Sequence, residues 1–193
     1  MPRMVDFLFP DLESSRLRLR RLVRGDLDFL FAHFSDAQVG QFLVDEDPVT
    51  TREDAAAILD FCLEQDGKGY NRWLMVRKDG GIPLGTLGFH HWDRRNRHAE
   101  IGYDLSPQYW GEGFMREAAL TALNFAFSQM LVHRVEAMIH VENARSIRLA
   151  EGLGFQREGC LRGNFLSQGV YHDHYLYALL AEDYERISSN ARR

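Results

Sequence analysis

Cysteine and lysine are the scarcest chemistry-bearing residues in this chain. Of 193 residues only Cys62 and Cys160 are cysteines, far apart and in neither a CxxC nor a metal-ligand spacing. That excludes a disulfide framework and a thiolate metal site, and leaves two reduced thiols of the cytosolic kind. Lysine occurs only at Lys68 and Lys78 against 23 basic residues in all, a compositional bias that carries no functional weight. No run of basic residues is present and the formal net charge is −5, so the chain lacks the electrostatic footprint of a phosphate-backbone binder. The apolar patch in MPRMVDFLFPDLES is broken by Asp6 and Pro10 before it reaches signal-peptide or membrane-spanning length. The expectation is a soluble cytoplasmic protein with no membrane or nucleic-acid partner. Repeats, linkers and low-complexity segments are also missing, which points to one domain over residues 1–193. What is abundant is core material: 45% hydrophobic residues, 12% aromatic.

Periodicity along the chain alternates between strand and helix. Arg16–Arg20 alternates apolar and basic as a strand with one wet face, and Asp26 is placed to cap a helix whose Leu27, Leu30, Phe31 and Phe34 face a core. Asp45, Glu46 and Asp47 fall in an irregular stretch; they are either a solvated loop or the lining of an entrance for a cationic amine. Thr50 or Thr51, with Glu53 and Asp54 behind, starts a helix with Ala55, Ile58, Leu59, Cys62 and Leu63 as its buried stripe. Tyr70–Arg77, Leu84–Trp92 and Glu100–Leu105 then make a three-stranded meander, turning at Lys78–Gly81 and Asp93–Arg97. Beyond it come a helix from Phe114, a strand over Arg134–Ile139, a helix capped by Asn143, two strands joined near Gln168–Gly169, and a last polar helix.

The stretch Glu100–Ala119, EIGYDLSPQYWGEGFMREAA, organises the rest. Ile101, Tyr103 and Leu105 alternate with Glu100, Gly102 and Asp104, Pro107 ends the strand, and Gly111 and Gly113 permit a tight turn into the helix. Unpaired N–H groups at such a turn, together with the positive end of the helix dipole, suit a phosphate or pyrophosphate. Gln108-Tyr109-Trp110-Gly111-Glu112-Gly113 resembles the (Arg/Gln)-x-x-Gly-x-(Gly/Ala) acyl-CoA loop of the GNAT N-acetyltransferases. The wider spelling is most similar to the RimJ/RimL-like branch, which acetylates ribosomal-protein N-termini. Asn143 to Ser146 and Leu153-Gly154-Phe155 extend the resemblance, which spans about residues 15–182.

The resemblance implies an α/β fold of the α+β kind. One mixed, mostly antiparallel central sheet of six to seven strands is flanked by helices, with the CoA loop between the fourth strand and the following helix. It implies acetyl-CoA as co-substrate, no metal, an amine acceptor, and a monomer or homodimer. The acceptor is a protein N-terminal α-amine or, alternatively, a small amine such as an aminoglycoside, polyamine or amino acid; a non-catalytic acyl-CoA-binding module is a third reading. Main-chain groups of Tyr103, Asp104 and Leu105 would meet the pantetheine arm, with Gln108, Gly111, Glu112, Gly113, Phe114, Met115, Asn143 and Ser146 completing the cofactor set.

Amine acetylation needs a base, donors for the oxyanion, and an acid for the leaving sulfur. Glu100 is the candidate base, a role that contributes about 10²–10⁴ in rate; otherwise it is an ordinary strand carboxylate. Gly102 is the candidate for a bulge that frees an oxyanion-binding amide. Many members of the family carry Tyr where this chain has Ala150, so the acid shifts to Ser146, whose alternative is a local bond to helix backbone. Asn143 suits both an N-cap and the cofactor arm. Trp92, Tyr171 and His172, with Asp45 and Glu46, are the acceptor-site candidates, core packing being the other role open to the three rings. His90, His91, His98, His172 and His174 include no HExxH pair and suggest no metal site.

Overall fold

The computed structural model describes residues 7–45 and 47–190. Eight strands form one sheet, in the order β1(Leu12–Glu13), β2(Leu17–Arg21), β3(Trp73–Arg77), β4(Ile82–Asp93), β5(His98–Leu105), β6(Arg134–His140), β8(Val170–Leu180) and β7(Gln156–Ser167). The two-residue β1 is too short to carry a periodic signal. It raises the strand count and makes the strand before the glycine turn the fifth in the chain. Within this sheet neighbouring strands run antiparallel except β5 with β6.

The sheet separates two packed layers. On one face Trp73, Met75, Leu87, Phe89, Ala99, Ile101, Val135 and Tyr177 form a continuous cluster with α4(Phe114–Ser128), which buries Ala118, Ala119, Ala122, Leu123 and Ala126. Leu153 and Phe155, at the end of α5(Ala144–Gly152), join it, and Tyr184 of α6(Ala181–Asn190) stacks on Phe127. On the other face Leu74 meets Leu22, Leu30, Leu59 and Cys62 beneath α1(Leu27–Phe34) and α3(Arg52–Gln65), which the short α2(Ala37–Gly40) separates along the chain. Thr51 caps α3 through a reciprocal capping box with Asp54.

Asp26 does not cap α1. It binds Arg20 through two hydrogen bonds of 2.8 and 2.6 Å and accepts from Val23 N, fastening the chain after β2 instead. The alternation of β5 also differs from expectation. Asp104 is buried, whereas Tyr103 and Leu105 are only half-buried, because α1 covers the face that carries Asp104. Among the described residues no helix is long and apolar enough to cross a membrane.

Candidate active site

The site is made by a parting of strands. β5 pairs with β6 only from His98↔Arg134 to Glu100↔Glu136, although β5 continues to Leu105 and β6 to His140. Along the rest of β5 the β4 side stays paired, while the β6 side has its main chain facing an opening. Free amides therefore arise from divergence of β5 and β6, and not from a bulge at Gly102, where the β4–β5 ladder is regular. Gly102 serves close packing: a Cβ there would lie 2.7 Å from His90 Cε1.

Two adjoining clefts occupy the opening. The first, of about 440 Å³, is lined by Tyr103, Asp104, Leu105, Gly111, Gly113, Phe114, Met115, Asn143 and Ser146. Gly111 and Gly113 adopt φ of 82° and 78°, left-handed backbone that favours glycine, and Gly113 caps α4 with no side chain competing for the first amides of the helix. These uncapped amides at the positive helix end fit a pyrophosphate, so the chain has the cradle that acetyl-CoA requires. Arg16 fastens this turn. Its Nη1 donates to Glu112 O at 3.1 Å, its Nε donates to Glu117 Oε2 at 2.6 Å, and its guanidinium lies 4.3 Å from the centre of the Phe114 ring. Gln108 is exposed in the short turn Pro107–Tyr109, and neither Gln108 nor Glu112 lines the cleft. At this end of β5, Leu105 O accepts from Trp110 Nε1 at 2.8 Å, and Arg145 in turn lies over Trp110.

The second cleft, of about 100 Å³, shares Phe42, Leu43, Tyr103, Asp104, Asn143 and Ser146 with the first. It adds Asp45, Arg72, His90, Glu100, His140, Phe165 and His174. Burial raises the Glu100 carboxyl above its ordinary range; the bond to His91 partly opposes this, and Asp45 and Glu136 add to it. Ser146 sits where the clefts meet. Asn143 Oδ1 accepts from Ser146 N at 3.1 Å, capping α5, and none of the described hydrogen bonds takes the Ser146 hydroxyl to backbone. Across from it, burial pushes the Tyr103 phenol up to about 12, with a partial offset from Ser146.

Below the clefts lies a buried polar network that the sequence did not signal, since its members come from four separated segments. Asp104 accepts from Thr86 N at 2.8 Å and Thr86 Oγ1 at 2.5 Å, lies 2.6 Å from His33 Nε2, and faces Arg72 at 3.5 Å. Although burial works against the charge, His33 and Arg72 together with Thr86 hold the Asp104 carboxyl below its ordinary range. With its carboxylate so engaged, Asp104 has only main chain to offer the first cleft. Among the described residues Arg72 Nε and His90 Nε2 are buried and meet no hydrogen-bond partner, and His90 is pushed down to about 3 by burial and then by Arg72, so its ring is neutral.

The expected acceptor residues scatter. Asp45 lines the second cleft; Glu46 lies outside the described residues. Trp92 packs against Phe7 and Phe9 in the α4-side cluster, with Arg94 4.5 Å above its ring. A bulge in β4 between His90 and Asp93 adds one residue and turns Trp92 to the face away from Glu100. Tyr171 is 68% exposed near the β7–β8 turn. His172 stands behind the cleft wall, its Nδ1 3.1 Å from His140 Nε2. Among the described residues no group of three or more His, Cys, Asp or Glu is arranged to hold a metal ion.

Residues 16–156 match the acetyltransferase (GNAT) domain family. Over 174 residues the chain is 33% identical to the uncharacterized N-acetyltransferase YoaA of Bacillus subtilis, covering 90% of this chain and 98% of that protein. It is 26% identical over 160 residues to the spermidine N(1)-acetyltransferase of Vibrio cholerae, covering 83% of this chain and 90% of the relative. It is 32% identical over 102 residues to the ribosomal protein uS5-alanine N-acetyltransferase of Escherichia coli, covering 52% and 53%. The crystal structure of a GNAT-family acetyltransferase from Bacillus anthracis superimposes with a TM-score of 0.78 at 27% identity, covering 89% of this chain and 99% of that one.

Proposed function

Because the chain belongs to the GNAT family of acetyltransferases and so carries acetyl groups from acetyl-CoA to amines, we propose that its acceptor is a protein N-terminal α-amine. The observation that carries this reading is that Glu100 and the half-buried Arg72 line one cleft, and that Arg72 Nε is buried with no hydrogen-bond partner among the described residues. An α-amine at a chain end is followed at once by a carbonyl, and Arg72 and neutral His90 are suited to receive that oxygen while Glu100 faces the nitrogen. A buried polar group left unpaired by the wrong substrate penalises it heavily. A polyamine offers cationic nitrogens instead, for which Arg72 is the wrong sign. The 32% identity to a ribosomal-protein acetyltransferase agrees with this reading over half the chain.

Acetyl-CoA supplies an activated acyl group. This chain's residues do the rest: Glu100 takes one proton of the amine, free amides of β5 receive charge developing on the carbonyl oxygen, and Ser146 gives a proton to the departing sulfur while taking up the second proton that the nitrogen loses as the intermediate collapses. The small-amine reading is kept in view by the spermidine acetyltransferase relative and by Asp45 at the cleft.

Thiol release measured across N-terminal peptides, spermidine, aminoglycosides and amino acids separates the two. The expected result is a kcat/KM for the best peptide at least about 100-fold above that for spermidine; the reverse order ends the N-terminal reading. Ser146→Ala is expected to lower kcat by about tenfold or more while leaving KM for acetyl-CoA nearly unchanged. Turnover equal to wild type removes Ser146 as the acid.

A further inference from the structure

His91 is a histidine in a place where backbone geometry is costly. Its φ is 49°, in the left-handed region, and it is the extra residue where β4 bulges between the pairs His90↔Glu100 and Asp93↔His98. In a regular ladder His91 would point to the face opposite Glu100. The bulge places its Nδ1 3.1 Å from Glu100 Oε2. The two partners differ sharply in exposure: the Glu100 side chain is 25% exposed and lines the second cleft, whereas the His91 side chain is 82% exposed. A bulge beside a reactive group commonly re-aims a side chain, and strain of this kind persists only where the surroundings enforce it.

We infer that His91 is a positioning and proton-relay residue: it orients Glu100 and carries the acceptor amine's proton from that carboxylate to bulk water. This rests on Glu100 serving as the base. The proton leaves the amine nitrogen for Glu100, and passes to Nδ1 of neutral His91. The resulting imidazolium, open to solvent, gives a proton to water or buffer. Only N–H and O–H bonds change, and Glu100 returns to the ionised form that the next amine requires. The charged groups facing Glu100 favour its taking up the amine's proton: Asp45 from the loop before α3 and Glu136 from β6 add to the upward shift of its carboxyl, and the bond to His91 gives that proton its way out. His90, next to Arg72, is held neutral and offers no competing path. Imidazole is the side chain that exchanges protons readily near neutrality.

Two substitutions spare the backbone. Glycine accepts the left-handed φ without strain, and asparagine tolerates it while still donating a hydrogen bond to Glu100 but transferring no proton. His91→Gly and His91→Asn are both expected to lower kcat by about 10–100-fold, with KM for acetyl-CoA unchanged and the pH dependence of kcat altered. Added imidazole restores turnover in His91→Gly, and does so more effectively as pH rises and more of it is neutral. Wild-type turnover in His91→Asn, or a His91→Gly variant indifferent to imidazole, overturns the relay. Glu100→Gln run in parallel separates the layers. Loss of activity there with wild-type His91 variants overturns the relay alone, while full activity in Glu100→Gln removes both the base and its relay.

Discussion

Glu100→Gln is expected to lower kcat/KM for the amine by about 10²–10⁴ while acetyl-CoA still binds. The amide keeps the shape and one accepting oxygen of the carboxylate, so what is removed is the capacity to take a proton. An aliphatic amine is mostly protonated near neutrality, and attack requires the free lone pair. Burial makes this carboxylate a stronger base than a surface one by raising its pKa, against the pull of His91. The wild-type rate should therefore fall as pH drops through that raised value, and Glu100→Gln should lose this limb of the profile. Stability moves the other way. A carboxyl whose folded pKa is raised binds its proton more tightly when folded, so its ionised form opposes folding above that pKa. Glu100→Gln should consequently melt at the same temperature as wild type or higher at pH 7. A variant with wild-type kcat/KM at every pH would remove Glu100 from the chemistry.

Asp104→Ala is the substitution expected to cost the most stability. Asp104 is the common partner of His33, Thr86 and Arg72, and its loss leaves a guanidinium and an imidazole buried without their anion. Breaking such a buried pair costs about 3–5 kcal/mol, which for a chain of this size lowers Tm by roughly 6–20 °C. Asp104→Asn retains the shape and part of the bonding and should fall between the two. Since the Asp104 carboxyl is held below its ordinary range, its contribution is fully present above the unfolded aspartate value of about 4 and fades as pH falls below it. Wild-type Tm should thus drop more steeply below about pH 4 than that of Asp104→Ala. Thermal melts from pH 7 to pH 3 decide it, and a Tm for Asp104→Ala within about 2 °C of wild type at pH 7 would show that the network does not hold the sheet to α1.

Much of the outline was legible in the chain. The capping box of Thr51 and Asp54, the Asn143 cap, the left-handed Gly111 and Gly113, and the turn at Gln168–Gly169 all appear where residue spacing placed them. Each is a bargain struck among residues a few positions apart. β1 was not legible, because two residues show no period, and Asp26 misled because a nearby Arg20 competes for its carboxylate. At the site, Glu100, Tyr103 and Ser146 stand out in the sequence and line one opening, whereas Trp92 is displaced by a bulge at His91, where no glycine or proline announces it.

Short spacings are enough to write the glycine turn into α4, the capped helix that brings Ser146, the strand that brings Glu100 and, through their resemblance, the family, because each is set by residues a few positions apart. Where the amides become free, which face Asp104 and Trp92 take, and the reach of His91 to Glu100 emerge from the folded chain alone. Those depend on β6 leaving β5, on α1 covering the sheet, and on one extra residue in β4, and they are set by long-range packing between segments that local periodicity does not connect.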